Sequence, residues 1–70
     1  MKSSIFGTRM RQARQDKGWT QERLAQEYGA TQANISLYER GLYEPTLFTA
    51  TCIACALGVS LDWLTGREEK

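Results

Sequence analysis

Five of the chain's six glycines, Gly18, Gly29, Gly41, Gly58 and Gly66, each close a segment whose apolar residues recur at helical spacing. A Ser or Thr stands at the head of most of these segments, so the chain is cut into short capped helices with no convincing strand between them. Apolar Ile5, Met10 and Ala13, with Phe6 on the adjoining flank, predict a first helix from Ser4 to Asp16, stopping at Lys17 and Gly18. Thr20, with Glu22 in the first turn, opens a second helix over about 20–28. It is buried through Leu24, Ala25 and Tyr28, and it ends at Gly29, where a left-handed backbone carries no Cβ penalty. Thr31 caps a third helix over about 31–40, with Ile35 and Tyr38 turned inward. Two short helices joined by a three-residue turn around glycine are a helix-turn-helix signature. Pro45 and Thr46 open a fourth helix that reads Leu47, Ala50, Ile53, Ala54 and Leu57 inward. Ser60 caps a short fifth helix holding Leu61, Trp63 and Leu64.

The expectation is therefore an all-α domain of five helices over residues 1–66, with 67–70 as a tail or the start of a linker. Seventy residues hold one small core, which leaves little room for a large catalytic cleft. The longest uncharged stretch, Pro45 to Leu61, contains three threonines and Gly58 and is no membrane span. Met1 to Arg11 has no apolar run of the kind a secretory signal needs, so the cytoplasm is the expected location. Net charge is only +1, but residues 1–40 hold seven Lys or Arg against four Asp or Glu, and residues 41–70 hold two against four. That basic half is too weak by itself to argue for nucleic acid.

The blocks Trp19-Thr-Gln, Leu24-Ala25 and Gly29, then Ile35-Ser, Tyr38-Glu39 and Gly41, then Pro45-Thr46, then Ala54-x-Ala-Leu-Gly-Val-Ser-x-Asp-Trp-Leu64, occur in this order across nearly the whole chain. In this the chain resembles the Cro/C1-type helix-turn-helix family, which includes lambdoid phage repressors. The resemblance implies a five-helix, lambda-repressor-like domain that binds duplex DNA, with helix 3 in the major groove and helix 2 across the phosphate backbone.

With Ile35 and Tyr38 inward, helical periodicity places Gln32, Ala33, Ser36, Leu37 and Arg40 on the outward side of helix 3. A Gln amide pairs bidentately with adenine N6 and N7, and similar family members carry a Gln at this place, so Gln32 is the leading candidate for base readout. Ala33 and Leu37 suit thymine methyl groups, and Ser36 is a permissive donor or acceptor. The plainer alternative makes Gln32 a solvated first-turn residue and Leu37 a lone apolar residue on the surface. The resemblance marks Gln21 as a phosphate contact beside the free amides of helix 2. Thr31, Asn34, Arg40, Tyr43 and Thr46 are further candidates for the backbone, each equally compatible with simple exposure.

Glu39, in the last turn of helix 3, opposes the helix dipole and needs a cation. The resemblance points to Arg14 as a structural ion-pair partner, with Arg11 and Arg40 as rivals. Trp19 and Trp63 are expected to pack against helix 1 rather than to serve as ligand platforms.

Family members usually carry polar residues on the outward side of helix 4, whereas this chain has Phe48, Cys52 and Cys55 there. A helix apolar nearly all round must be covered, so these residues are a candidate homodimer interface, unless helix 5 or the tail folds over them. The two cysteines lie in a helix interior and no His is present, so small apolar thiols are expected rather than a metal or redox site. No assembled catalytic site is visible, and no enzyme, cofactor or small-molecule substrate is expected. The function expected is a transcription regulator that binds a palindromic operator as a dimer. The rival is an interaction module of antitoxin or anti-repressor type that uses the apolar face of helix 4.

Overall fold

The computed structural model describes residues 4–67, which form five α-helices: α1 (Ser4–Asp16), α2 (Gln21–Tyr28), α3 (Gln32–Glu39), α4 (Leu47–Leu57) and α5 (Leu61–Thr65). Of the expected tail, Arg67 is exposed and donates its N–H to the Asp62 carbonyl, and Glu68 to Lys70 lie outside the described residues. Thr20, Thr31, Thr46 and Ser60 are the N-caps of α2 to α5, each hydroxyl accepting the backbone N–H three residues on. Each such cap contributes about 1 kcal/mol. Pro45 precedes the cap of α4 and is not its first helical residue. Gly29 ends α2 at φ 82°, and its N–H returns to the Ala25 carbonyl.

All five helices feed one core. Met10, Leu24, Ile35, Ile53 and Leu64 are its fully buried side chains, one from each helix. The α2–α3 pair packs against α1 on one side and α4 on the other, and α5 closes the bundle against α1 and α4. Trp63 is buried, and α1 holds it twice: the Arg9 guanidinium lies 5.1 Å from the centre of its ring, and Arg9 Nη1 donates to its carbonyl at 2.6 Å. Trp19 is half-buried between the cations of Lys17 and Arg23, 5.0 and 4.8 Å from its ring centre.

Two residues expected inward are not. Ile5 is 50% exposed and Leu47 is 73% exposed. Both sit in the first turn of a helix, where periodicity alone cannot say whether a neighbour reaches far enough to cover them. In the first turn of α1 the buried places go to Phe6 and Gly7 instead, while Met10 and Ala13 are buried as expected. Tyr28, also expected inward, is half-buried, with a hydroxyl that has no hydrogen-bond partner among the described residues. Burial, with Tyr38 close by, pushes that phenol up to about 12.

Gly7 is the packing residue that the sequence reading missed. A Cβ there would press into the Tyr38 carbonyl oxygen and lie 2.8 Å from that of Glu39. Its absence lets α1 lie directly on the C-terminal end of α3, beside the edge-on contact of Phe6 with Tyr38, whose rings are 6.5 Å apart. A glycine inside an otherwise regular helix pattern was the available signal.

Candidate nucleic-acid interface

The site is built on α3, an eight-residue helix that buries Ile35, Tyr38 and Glu39 and turns its other side out. Gln32, Ala33 and Arg40 are exposed, Ser36 and Leu37 half-buried. Leu37 is thus less open than periodicity suggested. The helix ends through Gly41 at φ 73°, and the Leu42 N–H returns to the Leu37 carbonyl at 3.0 Å, a closure that brings residue 42 back to residue 37.

Beneath this face, Glu39 fixes the helix to α1. Its carboxylate is wholly buried and accepts from Arg14 Nε at 2.7 Å, Arg14 Nη2 at 3.2 Å and Arg11 Nε at 3.3 Å. Arg14 also donates to the Trp19 carbonyl at 2.8 Å, which ties the α1–α2 corner into the same cluster. Two of the three arginines weighed from sequence therefore share Glu39, and Arg40 stays exposed. Burial pushes the Glu39 carboxyl up, but the hydrogen bonds from Arg14, Gln21 and Arg11 and the Arg14 charge outweigh it and hold the group below its ordinary value.

Gln21 enters the same network. Its Nε2 donates to Glu39 Oε1 at 3.1 Å, and its Oε1 accepts from Gln32 Nε2 at 3.4 Å. The first residue of α2 and the first residue of α3 are therefore coupled side chain to side chain. Nothing in the sequence pattern announced that link, because it depends on the angle at which the two helices meet.

The remaining candidates are more scattered. Thr31 and Thr46 use their hydroxyl oxygens as caps, and the Thr46 hydroxyl also bonds Thr49 Oγ1 at 3.2 Å. Tyr43 is exposed, and its ring stacks on that of Tyr38 with centres 5.9 Å apart, which anchors the α3–α4 loop. Asn34 lies half-buried beside a hollow of about 250 Å³ that it lines with Tyr28, Phe48 and Cys52. On α4, Phe48 is 77% exposed, Cys55 is exposed and Cys52 half-buried. No group of three or more His, Cys, Asp or Glu able to hold a metal occurs among the described residues. No helix among them is long and apolar enough to cross a membrane.

Comparison with known proteins agrees with this architecture. A family model described as helix-turn-helix matches residues 10–64. The SPbeta prophage-derived uncharacterized HTH-type transcriptional regulator YonR of Bacillus subtilis is 42% identical over 60 residues, covering 86% of this chain and 56% of that protein. The HTH-type transcriptional regulator ImmR of the same organism is 35% identical over 64 residues, covering 91% of this chain and 50% of that protein. The chain thus spans about half the length of these two relatives. Among solved structures, the P22 c2 repressor protein in complex with synthetic operator 9T superposes with a TM-score of 0.85 at 28% identity, over 90% of this chain and 96% of that one. With the α2–turn–α3 unit, its caps and its core all in place, the chain belongs to the Cro/C1-type helix-turn-helix family of DNA-binding transcriptional regulators and phage repressors.

Proposed function

We propose that this protein is a cytoplasmic operator-binding regulator that reads the major groove of duplex DNA with α3 and binds a palindromic site as a homodimer. The observation that carries the reading is the two-sided character of α3: a buried carboxylate clamps its inner side to α1, while Gln32 and Ala33 stand exposed on its outer side. Such a helix presents a short face of polar and small residues in a fixed orientation, which is what base readout requires. The likeness to a repressor solved with its operator supports the same reading.

In this arrangement Gln32 pairs with an adenine edge, Ala33 and Leu37 meet thymine methyl groups, and Ser36 adds a hydrogen bond. Gln21, Thr31, Asn34, Arg40, Tyr43 and Thr46 surround that face and position the phosphate backbone, together with the N-terminal amides of α2 and α4. The dimer forms through the exposed Phe48 and its neighbours Cys52 and Cys55, since an uncharged α4 with a bare aromatic ring favours cover by a second copy. Two copies then place their α3 helices about 34 Å apart, one turn of duplex.

The test is selection of binding sites from a random duplex library at a stated salt concentration, wild type beside Gln32→Ala. The expected result is a palindrome whose preference changes at one position per half-site in the variant. No enrichment by folded protein overturns the reading in favour of a protein-interaction module. Because net charge is only +1, affinity should also fall gently with salt, by close to 0.9 in log–log slope per phosphate neutralised.

A further inference from the structure

Of the five helices, only α4 has no charged residue, so it can meet its own copy without setting like charges together. Its outer side carries Phe48, 77% exposed, then half-buried Cys52 and exposed Cys55, at i, i+4 and i+7. This stripe is also complementary to itself in size. An antiparallel pairing seats the large Phe48 of each copy on the small Cys55 of the other, whereas a parallel pairing sets ring against ring and leaves a gap at the far end.

The midpoint of residues 48 and 55 falls between Thr51 and Cys52. A two-fold axis there leaves the two Cys52 residues only about 1.5 Å apart along the helix direction. With helix axes about 9 to 10 Å apart, less two backbone radii, facing Cα atoms stand about 4.4 to 5.4 Å from each other, inside the disulfide range of about 4.4 to 6.8 Å. The two Cys55 residues are then about 10 Å apart along the same direction and out of reach. Cys52 and Cys55 of one chain do not suit each other either. Cβ atoms at i and i+3 lie about 5 to 6 Å apart where a disulfide needs about 3.5 to 4.5 Å, and closing that gap would distort a helix whose inner side holds the fully buried Ile53. The two cysteines, expected from sequence to be plain small apolar groups, thus have unequal roles.

We propose that α4 pairs antiparallel with α4 of a second copy about Cys52, and that oxidation joins the two Cys52 thiols in a disulfide that locks the dimer. The proposal rests on the α4 dimer put forward above and adds its register and a covalent control. With a diazene oxidant, one Cys52 thiolate adds to the N=N bond, and the Cys52 thiolate of the second copy attacks that sulfur and breaks the new S–N bond. One S–S bond forms, two electrons pass to the diazene, and the two thiol protons end on its nitrogens as a hydrazine.

Wild type, Cys52→Ala and Cys55→Ala are sedimented in reductant, then treated with the diazene diamide and run on a non-reducing gel. Both substitutions keep α4 uncharged and favour its helix. The expected result is a reductant-reversible dimer band in wild type and Cys55→Ala that forms at least about tenfold more slowly in Cys52→Ala. A band that depends on Cys55 overturns the register, as does loss of two hydrogens per chain by mass with no dimer, or no crosslink at all. In any of these three cases, a dimer in the reduced sedimentation run means that the register alone has failed. A monomer in that run, with no band that depends on Cys52, means that the α4 dimer itself has failed.

Discussion

The halves of this small bundle are held by different forces. α1 and α3 meet through a buried ion cluster in which Glu39 takes hydrogen bonds from Arg14, Arg11 and Gln21. α4 meets the rest through Ala50, Ile53, Ala54 and Leu57 and has no charged residue at all. Apolar burial stabilises without prescribing direction, whereas an arginine–carboxylate pair is satisfied in few geometries and fixes rotation as well as distance. The helix that, under the proposed function, presents particular atoms to DNA has the directional anchor. The other helix has the non-directional one and carries spare apolar surface on its outside, at Leu47 and Phe48.

The sharpest way to break this contrast is Arg14→Ala, which leaves Glu39 buried with only the half-exposed Arg11 and Gln21 for partners. Stability should fall by about 3 to 5 kcal/mol in chemical denaturation. If the loss is under about 1 kcal/mol, the ion cluster is no anchor, on the scale of exposed pairs. The exposed Arg23–Glu27 pair on α2, 2.8 Å apart, is the internal control, and its removal should cost well under 1 kcal/mol.

Gly7→Ala tests the backbone side of the same anchor. Alanine normally favours a helix interior by roughly 1 kcal/mol. Here its Cβ meets two carbonyl oxygens that cannot turn aside, so the expected net result is a loss of about 1 to 3 kcal/mol in thermal or chemical unfolding.

Acid should release the polar anchor and spare the apolar one. Because Glu39 is held below its ordinary value in the folded chain, its contribution is complete above the unfolded carboxylate range near pH 4 and is lost as pH falls through the lower folded value. With no histidine present, stability should be nearly flat between about pH 7 and 5 and drop as pH falls further, and Glu39→Gln should flatten that acid limb. A stability curve with the same acid limb in wild type and variant would assign acid sensitivity elsewhere.

The smallest effect on folding belongs to Phe48→Ser. An exposed ring contributes little to the isolated fold, so monomer stability should stay within about 0.5 kcal/mol. Sedimentation should nevertheless show weaker self-association, and operator affinity should fall with it. Unchanged association would move the dimer contact away from Phe48.

Much of the fold was legible because it is written in local chemistry. Thr20, Thr31, Thr46 and Ser60 mark helix starts through hydrogen bonds three residues long, and Gly29, Gly58 and Gly66 mark ends through left-handed backbone. These signals act within one turn and need no knowledge of the neighbours. The outward side of α3 was legible for a similar reason, since Ile35 and Tyr38 define the opposite side by periodicity. Less visible was how far a neighbour reaches. Ile5 and Leu47 have apolar side chains at helical spacing, yet both are half or more exposed, since among the described residues the neighbours cover the adjoining Phe6 and Gly7 but leave much of these two side chains open.

What the sequence by itself determined, then, was the division into five helices, the caps of the last four, the helix-turn-helix unit and the side of α3 that faces out, all set by interactions within a few residues. Only the tertiary structure decided that α1 could lie directly on the end of α3 at Gly7, that Arg11 and Arg14 would share one carboxylate, and that Gln21 would stand between Glu39 and Gln32. Those relations join residues 11 to 32 positions apart, so they depend on crossing angles and approach distances that packing of the whole core sets at once.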